Sequence, residues 1–125
     1  MMYPILKAGA FALLFASGAN SPLEMKMLVD AELGSYPQKA EIMRVIQCES
    51  GFKDWIQSEH KNPKGPNGRE NSWGLVQINL DYNPQVTLDQ ALDWKYSLQF
   101  IKSNFEKGRQ WMWTCWRENQ MSYGR

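Results

Sequence analysis

The feature that most constrains this chain is an uncharged, apolar stretch near its start. Lys7 is followed by twelve residues without a charge, from Ala8 to Ala19, rich in Leu, Phe and Ala. Spanning a bilayer takes about 20 apolar residues, so the stretch is too short for a transmembrane helix. Its length is typical of the hydrophobic region of a secretory signal, and the small residues Ser17 and Ala19 precede a possible cleavage site. We therefore expect 1–19 to be a signal peptide; the alternative is a buried N-terminal helix.

Export has consequences for the rest of the chain. After cleavage, residues 20–125 form one domain with no stable membrane anchor, in the periplasm, the cell wall or the extracellular space. The two cysteines, Cys48 and Cys115, permit one disulfide in an oxidising compartment. The net charge of the whole chain is only +1, without a run of basic residues. A nucleic-acid partner is therefore disfavoured, because phosphate contacts normally require a basic surplus.

The hydrophobic pattern predicts a mostly α domain of the α+β class. Two capping boxes mark helix starts, Ser21 with Glu24 and Thr87 with Gln90. The polar loop 51–71 is rich in Pro and Gly, which indicates an irregular loop or a short hairpin. The tryptophans are expected mainly in the core. Segment 73–80 is short and apolar, a strand or a single helical turn, and the predicted helices span about 22–33, 37–50, 88–107 and 109–118.

Glu49 is a charged residue at a position where the helical pattern predicts an apolar one. It follows Ile42, Val45 and Ile46 at helical spacing, so its carboxyl belongs to the apolar face at the end of the predicted helix 37–50. Burial and the negative end of the helix dipole both raise the pKa of a carboxyl there. A carboxylic acid that stays protonated near neutral pH is suited to general acid catalysis of glycosidic cleavage. The alternative is a frayed helix end with Glu49 in water.

Two sequence motifs, one around Glu49 and one about 20 residues later, indicate what role Glu49 has. Cys-Glu-Ser-Gly-Phe at 48–52 precedes Ser-Trp-Gly-Leu-Val-Gln-Ile-Asn at 72–79. Together they resemble the lysozyme-like superfamily, in particular the soluble lytic transglycosylase domain, over roughly residues 37–116. The cysteine pattern resembles the resuscitation-promoting factors, in which the Cys before the catalytic Glu pairs with a Cys in a late Trp-rich segment. That resemblance implies a lysozyme-like fold and a disulfide between Cys48 and Cys115.

The resemblance also implies an activity. Glu49 is expected to be the single general acid/base of a muramidase that cleaves the bond between N-acetylmuramic acid and N-acetylglucosamine in peptidoglycan strands, giving 1,6-anhydro ends. Ser50 is expected beside the acid as a hydrogen-bonding neighbour and is also a candidate substrate-binding residue. The second motif is expected to line the substrate cleft. Its candidate substrate-binding residues are Trp73, Gly74, Leu75, Gln77 and Asn79, with Trp73 the best candidate among the tryptophans for a sugar platform.

Three features of the sequence leave alternatives to this activity. The late Ala-Tyr-Asn motif of many transglycosylases is absent, and segment 111–116 stands in its place. A hydrolytic lysozyme on the same fold needs a second carboxylate or a positioned water. The loop offers Asp54, Glu59 and Glu70, of which Glu59 and Glu70 could reach a cleft from a hairpin. No motif singles one out, and the alternative for each is a solvated loop charge. A non-enzymatic glycan-binding module is the third reading. We expect a monomer without cofactor or metal, because His60 is the sole histidine and has no partner at ligand spacing.

Overall fold

Helices make up most of the described structure. The computed structural model describes residues 20–123, with side chains to residue 118; the predicted signal peptide lies outside this range. The prediction of a mostly α domain is confirmed. In chain order, the α-helices within the described range are α1 (Pro22–Leu33), α2 (Lys39–Glu49), α3 (Leu88–Ala91), α4 (Trp94–Glu106) and α5 (Thr114–Tyr123).

Local sequence signals define two of the helix starts. The Ser21 hydroxyl accepts the main-chain N–H of Glu24 at 3.1 Å, and the Glu24 carboxylate accepts that of Ser21 at 2.9 Å. Thr87 and Gln90 form the same reciprocal pair at 3.1 and 3.0 Å. Each pair satisfies two N–H groups that a helix otherwise leaves free. Both predicted capping boxes are confirmed.

A short hairpin connects the two helical parts of the chain. β1 (Ser72–Trp73) pairs antiparallel with β2 (Ile78–Asn79). Single bridges, from Gln57 to Trp73 and from Lys61 to Arg69, extend the pairing into the preceding loop. A 3-10 turn at Pro66–Gly68 closes the tip of that loop. The bridge between Lys61 and Arg69 confirms the prediction of an irregular loop or short hairpin over 51–71. For 73–80, of the two predicted alternatives the structure has the strand.

Three predicted helices have different bounds. The helix expected over 88–107 is two helices, because Asp93 caps a new start with a carboxylate that accepts the N–H groups of Lys95 and Tyr96. The helix expected over 109–118 begins only at Thr114, after a 3-10 turn at Gln110–Met112. The helix predicted from residue 37 begins at residue 39.

The hydrophobic core joins the helices to the hairpin. α2 packs against both α1 and α5. Trp113, just before α5, makes edge contacts with Phe100 at 6.1 Å and Phe105 at 5.8 Å between ring centroids. Within residues 20–123, no helix is both long and apolar enough to cross a membrane. The buried apolar residues are Met25, Val29, Leu33, Ile42, Val45, Ile46, Phe52, Leu75, Val76, Ile78, Val86, Ala91, Leu98, Ile101, Phe105 and Trp113.

Candidate functional site

Glu49 is the last residue of α2, and the start of α5 lies directly against it. One carboxylate oxygen of Glu49, Oε2, accepts the main-chain N–H of Cys115 at 3.3 Å. Cys115 is bonded to Cys48, the residue before Glu49, with 6.0 Å between their Cα atoms. The disulfide predicted between these two cysteines is confirmed. It ties the end of one helix to the first turn of another, so the acid and its N–H donor are held together.

The surroundings of Glu49 favour the protonated acid. Burial is the largest effect and raises the pKa of the Glu49 carboxyl, since the charged form is disfavoured away from water. The Cys115 hydrogen bond acts in the opposite direction. The nearby charges of Glu70 and Glu118 raise the pKa further, while His60 lowers it. The net pKa is above the ordinary carboxyl value, as the position of Glu49 on an apolar helix face predicts.

A cleft of about 710 Å³ opens beside Glu49. A smaller cavity of about 300 Å³ shares Asn83, Phe100 and Arg109 with it, so the open surface continues along α4. Polar and aromatic side chains both line the cleft, as is typical of ligand sites. The lining residues are Glu49, Glu70, Ser72, Gln77, Ile78, Asn79, Tyr82, Asn83, Phe100, Arg109, Trp111, Met112, Trp113, Thr114 and Arg117.

The structure brings a second carboxylate, Glu70, into the same cleft. Its Oε1 accepts the Ser72 hydroxyl at 3.0 Å, and its main-chain N–H donates to the His60 carbonyl at 2.8 Å. Asp54 and Glu59, the other two candidates, are not among the residues that line the cleft. The sequence left Glu59 and Glu70 as the two that could reach the cleft, because only the path of the loop decides between them.

The Ser50 side chain has a structural role. Its buried hydroxyl donates to the Leu75 carbonyl at 2.6 Å and lies 3.3 Å from the Ile46 carbonyl. It therefore connects the end of α2 to the hairpin turn without lining the cleft. Leu75 belongs to the fully buried core. Both residues hold the second motif, 72–79, against the helix that carries Glu49. Their positions indicate a structural role and no direct contact with substrate.

The remaining candidates divide between cleft and scaffold. Gln77 lines the cleft, and its Nε2 donates to the Ile56 and Gly74 carbonyls, which leaves its side-chain oxygen to accept from a ligand. Asn79 also lines the cleft. Trp73 is half-buried outside it, with its indole N–H donating to the Asn71 side chain at 2.8 Å. Trp73 is thus poorly placed as a sugar platform.

Gly74 is required by close packing. Its φ is +83°, and a Cβ atom on it would lie 1.9 Å from the Ala91 carbonyl oxygen. We expect Gly74→Ala to lower the free energy of unfolding by about 2–3 kcal/mol, through backbone strain and the clash together. Gly68→Ala is the matched control. Gly68 has a similar φ of +70° with no atom within 4 Å, so only the cost of a left-handed Ala, about 1 kcal/mol, applies. Urea denaturation measures both, and equal losses would contradict the packing role.

Sequence reasoning missed two aromatic residues of the cleft. Trp111 and Tyr82 both line it and are exposed, whereas the tryptophans were expected mainly in the core. That expectation holds for Trp113, which is buried, with its indole N–H donating to the Val76 carbonyl at 2.8 Å. It is wrong for Trp111 and for Trp55, which is exposed away from the cleft. The adjacent turn signal Asn83-Pro84 was the one clue that Tyr82 is at the surface.

Comparison of the chain with known protein families, with curated proteins and with solved structures finds no match. Among the described residues, His, Cys, Asp and Glu side chains form no group of three or more able to hold a metal ion.

Proposed function

We propose that this protein is a lysozyme-like lytic transglycosylase that cleaves the glycan strands of peptidoglycan. One observation carries the proposal: a half-buried carboxyl with a raised pKa, Glu49, lines a large polar and aromatic cleft. That combination is what general acid catalysis of glycosidic cleavage requires. The order of the motifs around Glu49 and 72–79, and the disulfide beside the acid, support the same reading.

The proposed reaction uses Glu49 twice. The protonated carboxyl first donates its proton to the oxygen that links N-acetylmuramic acid to N-acetylglucosamine, and the bond from that oxygen to the anomeric carbon breaks. The C6 hydroxyl of the muramoyl residue then attacks the anomeric carbon and gives its proton to the Glu49 carboxylate. The products are a 1,6-anhydro ring and a free 4-hydroxyl end. No water is consumed, and the acid is restored.

The position of Cys115 fits both halves of this cycle. Its N–H lies at the start of α5, where helices leave N–H groups free and favour negative charge. It donates to Glu49 Oε2 and so stabilises the carboxylate that forms after proton transfer. Burial favours the protonated form in the resting state. The two effects oppose each other, which keeps both forms accessible during the reaction.

Glu70 supports a second candidate, hydrolysis on the same fold. A hydrolytic glycosidase uses a second carboxylate either as a nucleophile or to activate water. Glu70 lines the cleft with Glu49, and after burial and the Cys115 hydrogen bond its charge is the next influence on the pKa of Glu49. In the transglycosylase, Glu70 has only this electrostatic effect. In the hydrolase it takes part in the chemistry.

Replacing Glu70 with Gln separates the two candidates. For a transglycosylase we expect the rate at the pH optimum to change by less than about tenfold. Activity falls as pH rises through the pKa of Glu49, because the acid must be protonated; removal of the Glu70 charge lowers that pKa and shifts the fall to lower pH. Hydrolysis predicts a loss of at least about 10²-fold instead. Glu59→Gln, an exposed carboxylate outside the cleft, is the matched control. The readout is wall clearance against pH.

A further inference from the structure

Two large aromatic side chains of the cleft are left open to solvent. Trp111 is 59% exposed and Tyr82 is 84% exposed. The same chain buries Trp113 almost completely, and the other exposed tryptophan, Trp55, is not among the residues that line the cleft. Aromatic rings supply much of the binding energy of cores and interfaces, and their exposure beside a cleft is a common mark of a ligand site.

Both rings stand on turns that hydrogen bonds hold in place. The Trp111 carbonyl accepts a guanidinium N–H of Arg117, whose other nitrogen donates to the Thr114 hydroxyl at 3.0 Å. The main-chain N–H of Tyr82 donates to the Asn79 side-chain oxygen at 3.1 Å. A ligand therefore meets two rings on ordered main chain, which reduces the entropy that binding costs.

The two rings come from different parts of the chain. Tyr82 follows β2, and Trp111 lies in the 3-10 turn before α5. The amide side chains of Gln77, Asn79 and Asn83 line the same cleft. Flat apolar faces together with amide groups fit a ligand that has apolar C–H faces and a rim of hydroxyl and acetamido groups. A pyranose ring of an N-acetylated sugar has this chemistry.

We propose that Trp111 and Tyr82 form an aromatic binding site for the N-acetylhexosamine rings of a β-1,4-linked glycan, with the sugar rings stacked on the two aromatic rings. The inference rests on the proposed function, since it takes the ligand to be the strand that Glu49 cuts. It adds two substrate-binding residues and assigns them the ring faces of the sugar.

Binding without turnover tests this site. The probe is the β-1,4-linked hexamer of N-acetylglucosamine, titrated by calorimetry into protein that carries Glu49→Gln. We expect Trp111→Ala in that background to raise Kd roughly tenfold, as for an aromatic anchor at a binding centre. Trp55→Ala is the matched control, because Trp55 is 55% exposed and lies outside the cleft. Its Kd is expected to stay at the parent value. Because both tryptophans are exposed, we expect either variant to keep the fold, and the thermal midpoint checks this.

Two changes at Tyr82 separate stacking from hydrogen bonding. Tyr82→Phe keeps the ring and is expected to retain affinity, whereas Tyr82→Ala is expected to weaken it. Equal Kd values for Trp111→Ala and Trp55→Ala, or no binding of the hexamer by the parent, would overturn the inference.

The proposed function fails independently of this site. If wild-type protein clears no more wall than Glu49→Gln while the hexamer still binds through Trp111, the cleft binds glycan and the proposed catalysis is wrong. If wild type cleaves the wall and Trp111→Ala leaves KM unchanged, the catalysis stands and the aromatic site is wrong.

Discussion

Glu49→Gln is expected to reduce cleavage of peptidoglycan by roughly 10²–10⁴-fold, the usual contribution of a general acid/base. Gln has nearly the same shape but cannot donate a carboxylic proton to the leaving oxygen. Its side-chain oxygen can still accept the N–H of Cys115, so the contact between α2 and α5 is kept. The measurement is release of soluble muropeptides from purified sacculi at a fixed protein concentration. Glu59→Gln is the matched control, because Glu59 is exposed and outside the cleft.

The same variant has a second expected signature in stability. Burial raises the pKa of Glu49 in the folded protein, so the folded state binds the proton more tightly than the unfolded state. Wild-type stability therefore falls as pH rises through the folded pKa, and Glu49→Gln lacks this loss. We expect the variant to be the more stable protein at neutral pH, and the two to converge below the ordinary carboxyl pKa. An inactive variant that is also less stable at neutral pH would point to damage of the fold.

Removing the disulfide has the second large effect. The bridge closes a separation of 67 residues. In the loop-entropy account this is worth about 4 kcal/mol, a large fraction of the about 5–15 kcal/mol that stabilises a typical domain. We expect Cys48→Ser/Cys115→Ser to lose about that much free energy of unfolding in urea. Activity is expected to fall as well, because the N–H donor of Glu49 belongs to Cys115.

Reduced wild type is the control for the serine changes. It lacks the same bond without new hydroxyl groups, so its unfolding free energy is expected to match that of the double variant. A loss below about 1 kcal/mol in both proteins would contradict the role of the bridge. A loss in the variant alone would assign the effect to the introduced serines.

Short-range signals in the sequence predicted the structure best. The two capping boxes depend on side chains three residues apart, and both form as predicted. The bridge from Cys48 to Cys115 followed from the resemblance and is confirmed. The break before α4 was not predicted, because the apolar residues keep their helical spacing across it. The helix is interrupted there because the Asp93 carboxylate accepts the first N–H groups of a new helix.

Features that depend on long-range packing could not be predicted from the sequence. Whether Trp55 or Trp111 is buried depends on what lies opposite, and periodicity carries no such information. The approach of Glu70 to the cleft depends on the path of the whole loop 51–71. Gln77 lies in the sequence motif with a φ of +55°, and its side chain hydrogen-bonds within the turn, a conformation that the motif alone does not reveal. The position of Glu49 could be predicted from the sequence, because helical spacing places it on the apolar face.

The most direct test of the proposed reaction is the chemical nature of the new ends. Purified sacculi digested by wild-type protein are analysed by mass spectrometry, with Glu49→Gln as the blank. We expect muropeptides that end in 1,6-anhydro-N-acetylmuramic acid, each lighter by one water than the hydrolytic product and absent from the blank. Reducing-end muramic acid instead, or the same yield from wild type and blank, would contradict it.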